Sequence, residues 1–134
     1  MKKRLTALFL AVCFATSTLT VLAASTASFT VNNVSVLGTV SYTDANDINP
    51  LVRDSVTAST TSGAAMDVLT VDATIQFGYG SEVRTITKSS YSENATATSA
   101  TASASLGGVG CGGTGYHYAG HNGRNGTAST DIRW

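Results

Sequence analysis

The chain has 134 residues, 43% hydrophobic and only 12% charged, against about a quarter charged in an ordinary soluble domain. Its eight basic residues balance its eight acidic ones. This excludes a basic surface for nucleic acid, a like-charged disordered tail and the glycine period of collagen, and the length fits one domain.

The N-terminus reads as a secretory leader. Met1-Lys2-Lys3-Arg4 is a positive start, Leu5 to Ala15 is apolar, and Val21-Leu22-Ala23-Ala24 is a small-residue exit, so the expected signal peptide is 1–23 with cleavage after Ala23, and Ala27 as the weaker site. Thr16, Ser17, Thr18 and Thr20 interrupt the apolar run well short of the ~20 residues of a membrane span. No membrane span is expected after cleavage. The short basic start is of bacterial style. Removing it takes away three basic residues and Cys13, so the mature chain, 24–134, is mildly acidic and keeps Cys111 as its only cysteine. No internal disulfide can form; Cys111 either stays inert or pairs between chains in a dimer.

Strand signals follow in order. Val34, Val36, Val40 and Tyr42 share one parity across Gly38, where a bend or bulge is expected. Asp44 to Pro50 is turn chemistry, and Asp44, Asn46, Asp47 and Asn49 supply oxygens for calcium, although Ile48 occupies a position where an EF-type loop needs Asp or Asn. Val52, Val56 and Ala58 form a weaker strand, ended by Ser62-Gly63. From Leu69 to Tyr79 the odd positions are apolar or aromatic and the even ones mostly polar, a half-buried strand. Gly78-Tyr79-Gly80-Ser81 reads as a hairpin into Val83–Thr87.

Ala95 and Ala97 alternate with threonines, and the phase slips at Ser99 before Ala100, Ala102, Ala104 and Leu106, as at a β-bulge. This small-residue strand is expected to pack tightly against a sheet or subunit; the sharper alternative is a flat Thr/Ser/Ala array that orders water, as ice-binding surfaces do. Residues 107–126 read as a glycine-rich loop holding Cys111, His117 and His121. Asn122-Gly123 and Asn125-Gly126 are turn pairs leading to a last strand with Ala128, Ile132 and Trp134 on one face. No stretch repeats at helical period. The expected fold is all-β: a small antiparallel β-sandwich or barrel of about six to eight short strands.

Chemistry is sparse. Gly108-Val109-Gly110-Cys111-Gly112-Gly113 matches a bare dinucleotide string, but no βαβ unit surrounds it. Cys111, His117 and His121 offer a thiolate and two imidazoles for zinc or copper, or a nucleophile with a base. An extended strand would hold the two histidines about 13 Å apart. No two carboxylates are marked as a glycosidase pair. The leading expectation is a secreted, non-enzymatic β-sandwich acting in extracellular binding or self-association, with no bound cofactor. Two alternatives stand beside it. In size and style the chain resembles small secreted bacteriocins of the lactococcin type, which implies antibacterial action; and the Cys111–His121 segment would suit a small metalloprotein or enzyme.

Overall fold

A computed structural model describes residues 20–45 and 53–133. Most of the expected leader, the Asn46–Asn49 turn with its calcium candidates, Val52 and Trp134 lie outside the described residues. No helix in the described part is long and apolar enough to cross a membrane. The described chain is all-β, with six antiparallel strands: β1 (Thr20–Val31), β2 (Val34–Asp44), β3 (Ser55–Tyr79), β4 (Glu82–Ser103), β5 (Val109–His121) and β6 (Arg124–Arg133). They lie in the order β1-β2-β3-β5-β6, with β4 on the other edge of β3, and form a nearly closed, barrel-like sheet.

The central element is the long β3–β4 hairpin. Ser62-Gly63 does not separate two strands as expected; β3 runs through it with a register shift between Thr61 and Met66. The shift changes which parity points inward. Val56, Ala58 and Thr60 are buried before it, and Leu69, Val71, Ala73, Ile75 and Phe77 after it. β4 is irregular near Asn94–Thr96, where Asn94 has a positive φ, yet its even positions face inward on both sides, and its pairing is regular through Ser99, where the sequence pattern suggests a slip. The hairpin therefore folds over, apolar face to apolar face, and its two halves share one core with Val40, Tyr42, Ala100, Ala102 and Ile132. Each fully buried Val, Ile or Phe contributes roughly 1.5–3 kcal/mol.

The N-terminal half of β3 pairs with β2, which pairs with β1; the C-terminal half pairs with β5, which pairs with β6. One side closes where β6 packs beside β1, with Gly126 against Phe29 and Val31. Near the fold of the hairpin, Thr98 joins the two halves of β4 through hydrogen bonds with Ser90 at 2.9 Å and Ser92 at 3.2 Å. The turns follow side-chain chemistry: Asn32-Asn33 and Asn122-Gly123 adopt the left-handed conformation at both positions, as two-residue hairpins require.

Residues 107–126 are not a loop. Apart from Gly107, Gly108 and the β5–β6 turn they are strand, and several of their glycines are packing devices. A Cβ on Gly113 would stand 2.4 Å from Val56 Cγ2, and one on Gly115 would stand 2.6 Å from Thr130 Oγ1. Gly38 likewise marks no bend, since its register with β1 and β3 is regular. It is glycine because a Cβ there would lie 2.4 Å from the ring of His117.

Candidate functional site

His117 sits in the interior of the barrel, fully buried. Its ring lies against Gly38 of β2, with Nδ1 2.9 Å from Thr60 Oγ1 and Nε2 2.9 Å from Thr130 Oγ1. Both tautomers complete this chain. If Nδ1–H donates to Thr60, the Thr60 hydroxyl donates to Thr70 O at 3.3 Å and Nε2 accepts from Thr130; if Nε2–H donates to Thr130, that hydroxyl turns to Gly115 O at 3.4 Å. Burial lowers the His117 pKa from its ordinary 6.5, because the charged ring would lose its hydration. The histidine thus ties together strands from both halves of the folded sheet.

The other candidates stand apart from it. Cys111 is exposed and is the extra residue of a bulge, since Gln76 pairs with Gly112 and Phe77 with Gly110. His121 lies four residues beyond His117, about 13 Å along the same strand. It belongs to the β5–β6 turn, where Asp67 accepts the Asn122 N–H at 2.7 Å and approaches His121 Nδ1 at 3.6 Å. Cys111, His117 and His121 are therefore not brought together. Among the described residues, no three His, Cys, Asp or Glu side chains form a metal-ligand group.

A polar centre that carried no sequence signal is Asp54. Its buried carboxylate accepts from Tyr42 Oη at 2.9 Å, Ala45 N–H at 3.0 Å and Gly110 N–H at 2.9 Å, and its carbonyl accepts from Ala104 N–H at 2.8 Å. These bonds join the end of β2 and the start of β3 to the chain leading into β5. A carboxylate so surrounded by donors is a structural knot.

Function is better sought outside the barrel, where the folded hairpin creates two unlike surfaces. On the outer face of β1, β2 and the N-terminal half of the hairpin, outward positions are almost all hydroxyl-bearing and uncharged: Thr39, Ser59 and Ser99 share one rank, and Ser41, Thr57 and Thr101 the next. Only the hydroxyl residues of the Thr/Ser/Ala stretch lie here; its Ala100, Ala102 and Ala104 are buried in the core. The hydroxyls of this face largely engage the sheet itself, Thr57 with Thr101 at 2.8 Å, Ser59 with Ser99 at 3.0 Å, and Thr61 with Leu37 O at 3.4 Å.

The outer face of the other half carries tyrosines. Thr70 pairs with Tyr91 of β4 on one side and Tyr118 of β5 on the other, and Asp72 pairs with Ser89 and Tyr116. Tyr91 is 58% and Tyr116 47% exposed. The Tyr91 hydroxyl donates to Glu93, and that bond is the first cause of its raised pKa. Tyr116 and Tyr118 share a parity visible in the sequence; Tyr91 joins them only through the register of β3. Comparison with protein-family models, curated proteins and solved structures finds no match for this chain.

Proposed function

We propose that the protein is a secreted, non-enzymatic binding protein of bacterial style, a small β-sandwich in which the two halves of one folded sheet pack face to face, and that it acts outside the cell. The observation that carries this reading is the tyrosine-bearing outer face, with Tyr91 and Tyr116 about half exposed on regular strands. Tyrosines combine apolar area with a polar tip and lose little rotamer entropy on binding, which suits recognition. The buried groups with chemical potential, His117 and Asp54, hold the fold together instead.

Of the two cleavage sites, Ala23 costs β1 less. A cut there removes the pairs of Thr20, Val21 and Ala23 and keeps the ladder from Ala24↔Ser41 to Val31↔Val34, whereas a cut after Ala27 removes its pairs up to Ala27↔Gly38. Cys111, exposed on its bulge, gives a second copy a route to a disulfide-linked dimer.

The test is expression of the full chain in a secreting bacterial host. Expected are a processed protein in the medium beginning at Ala24, saturable co-sedimentation with cell envelopes, and a dimer on non-reducing gels that Cys111→Ser abolishes. A chain kept inside the cell with its leader intact, or a secreted chain that associates neither with envelopes nor with itself, would contradict the reading.

A further inference from the structure

We propose that the outer face around Tyr91, Tyr116 and Tyr118 is a platform for a neutral, equatorially linked pyranose chain of the cellulose, chitin or xylan type. This rests on the binding reading above and names its ligand class.

The geometry comes from the register. Tyr91 and Tyr118 flank Thr70, so two strand spacings separate them, about 9.5 Å. Tyr116 follows two residues away on the same face, about 6.7 Å from Tyr118. Both flanking rings run along their strands. The Tyr91 hydroxyl reaches Glu93, two residues on. The Tyr118 hydroxyl and Cε1 lie 3.4 and 3.6 Å from where a Cβ on Gly120 would stand, so the ring occupies space that the glycine leaves. Since β4 and β5 are both antiparallel to β3, the two rings lean the same way and form parallel aromatic ridges with Thr70 between them.

A pyranose presents C–H groups on its faces and hydroxyls around its edge. The ridges offer stacking surface to the faces, while Glu93, Asp72 and Thr70 offer acceptors to the edge, and a carboxylate makes the stronger bond. An equatorially linked chain is a flat ribbon, and the distance between the ridges is close to one disaccharide step of it. The mounting is rigid, because each tyrosine stands mid-strand rather than on a loop.

Charge narrows the choice. The basic residues of this part of β4, Arg84 and Lys88, pair with Phe77 and Ala73 and so lie, still exposed, on the side of the sheet away from the tyrosines, where Arg84 engages Glu82 and the Tyr79 ring; Asp72 and Glu93 are on the tyrosine face. Phosphate-bearing ligands are thereby disfavoured. A cation is the other ligand that tyrosines and carboxylates attract, but an aromatic cage needs rings that converge on one point, and these ridges are spread across a sheet.

The experiment titrates the purified full chain with cellohexaose, chitohexaose and xylohexaose by calorimetry, with maltohexaose and choline as contrasting probes. At least one of the first three should bind. Tyr118→Ala and Tyr91→Ala should each weaken that binding at least tenfold with unchanged far-ultraviolet circular dichroism, Tyr118→Phe should retain it within about threefold, and Thr57→Ala with Thr101→Ala on the opposite face should leave it unchanged. Failure of all three hexaoses, equal binding by the tyrosine variants, or binding of choline in their place would overturn the proposal. If envelope co-sedimentation then survives in the tyrosine variants, the binding reading stands and only the glycan platform falls.

Discussion

The same two strands, β3 and β4, build two outer faces that differ in what their side chains leave available. On one half, hydroxyls bond to one another and to neighbouring carbonyls, as Thr57 does with Thr101 and Thr61 with Leu37 O. On the other, tyrosine rings stand half exposed beside carboxylates. A polar surface whose hydroxyls are largely bonded to one another gives a partner less to gain, since most bonds formed there replace existing ones. An exposed ring has no such prior partner for its faces. The difference separates a face that solvates the fold from one that can recognise something.

Both faces are held by one interior, and the largest expected effect comes from removing a tie between them. Asp54→Ala strands the donors of Tyr42, Ala45 and Gly110 and should cost about 3–5 kcal/mol, read by urea denaturation. Asp54→Asn keeps an acceptor oxygen and should cost less. A change under about 1 kcal/mol for Asp54→Ala would show that the two halves hold together without it.

Crowding the interface between the halves ranks next. Gly115→Ala places a methyl against Thr130, His117 and Ala58 and should destabilise by about 1–3 kcal/mol, as overpacked cores do; Gly38→Ala should act in the same direction through the His117 ring. Stability unchanged in both would mean that the β5 glycines are dispensable.

A smaller effect follows from pH. Because the folded His117 pKa lies below its ordinary 6.5, the unfolded chain binds the proton more readily than the folded one. The stability difference is fully present above pH 6.5, and it is lost as pH falls through the lowered folded value. The thermal midpoint should drop between pH 7.5 and about pH 5, and His117→Gln should flatten that dependence. An identical slope in the variant would place its origin elsewhere.

The smallest effect should come from the hydroxyl face. Thr57→Val combined with Thr101→Val replaces both partners of one hydrogen bond by groups of the same shape, and should change stability by no more than about 0.5 kcal/mol. A loss several times larger would assign that face a structural role beyond solvation.

Much of the strand pattern is legible in the residues. The alternation from Leu69 to Tyr79 follows from the fixed period of two, whereas the slip expected at Ser99 is absent, because Ala95 and Ala97 are too small to mark a buried face and Ala97 is exposed. β1 is hidden, because Ala24 to Ala27 are small residues next to a leader pattern and carry no alternation. The glycine-rich stretch misleads, because glycine ordinarily weakens a strand, and the reason for it here lies in the side chains that crowd it: Val56 and Ala58 from β3, Thr130 from the paired β6, and the His117 ring of β5 itself. Asp54 precedes β3 without any motif, and its partners are remote in the chain: Gly110 is 56 residues away. Tyr91 is 27 residues from Tyr118, and only the pairing of both with Thr70 places them on one face.

The contrast between the faces is tested most directly by amide NMR of the full chain titrated in turn with cellohexaose, chitohexaose and xylohexaose. Shift changes should cluster at Thr70, Asp72, Ser89–Glu93 and Tyr116–Tyr118, with Thr57, Ser59, Ser99 and Thr101 silent. Changes centred on the hydroxyl face, or none with any of the three, would contradict it.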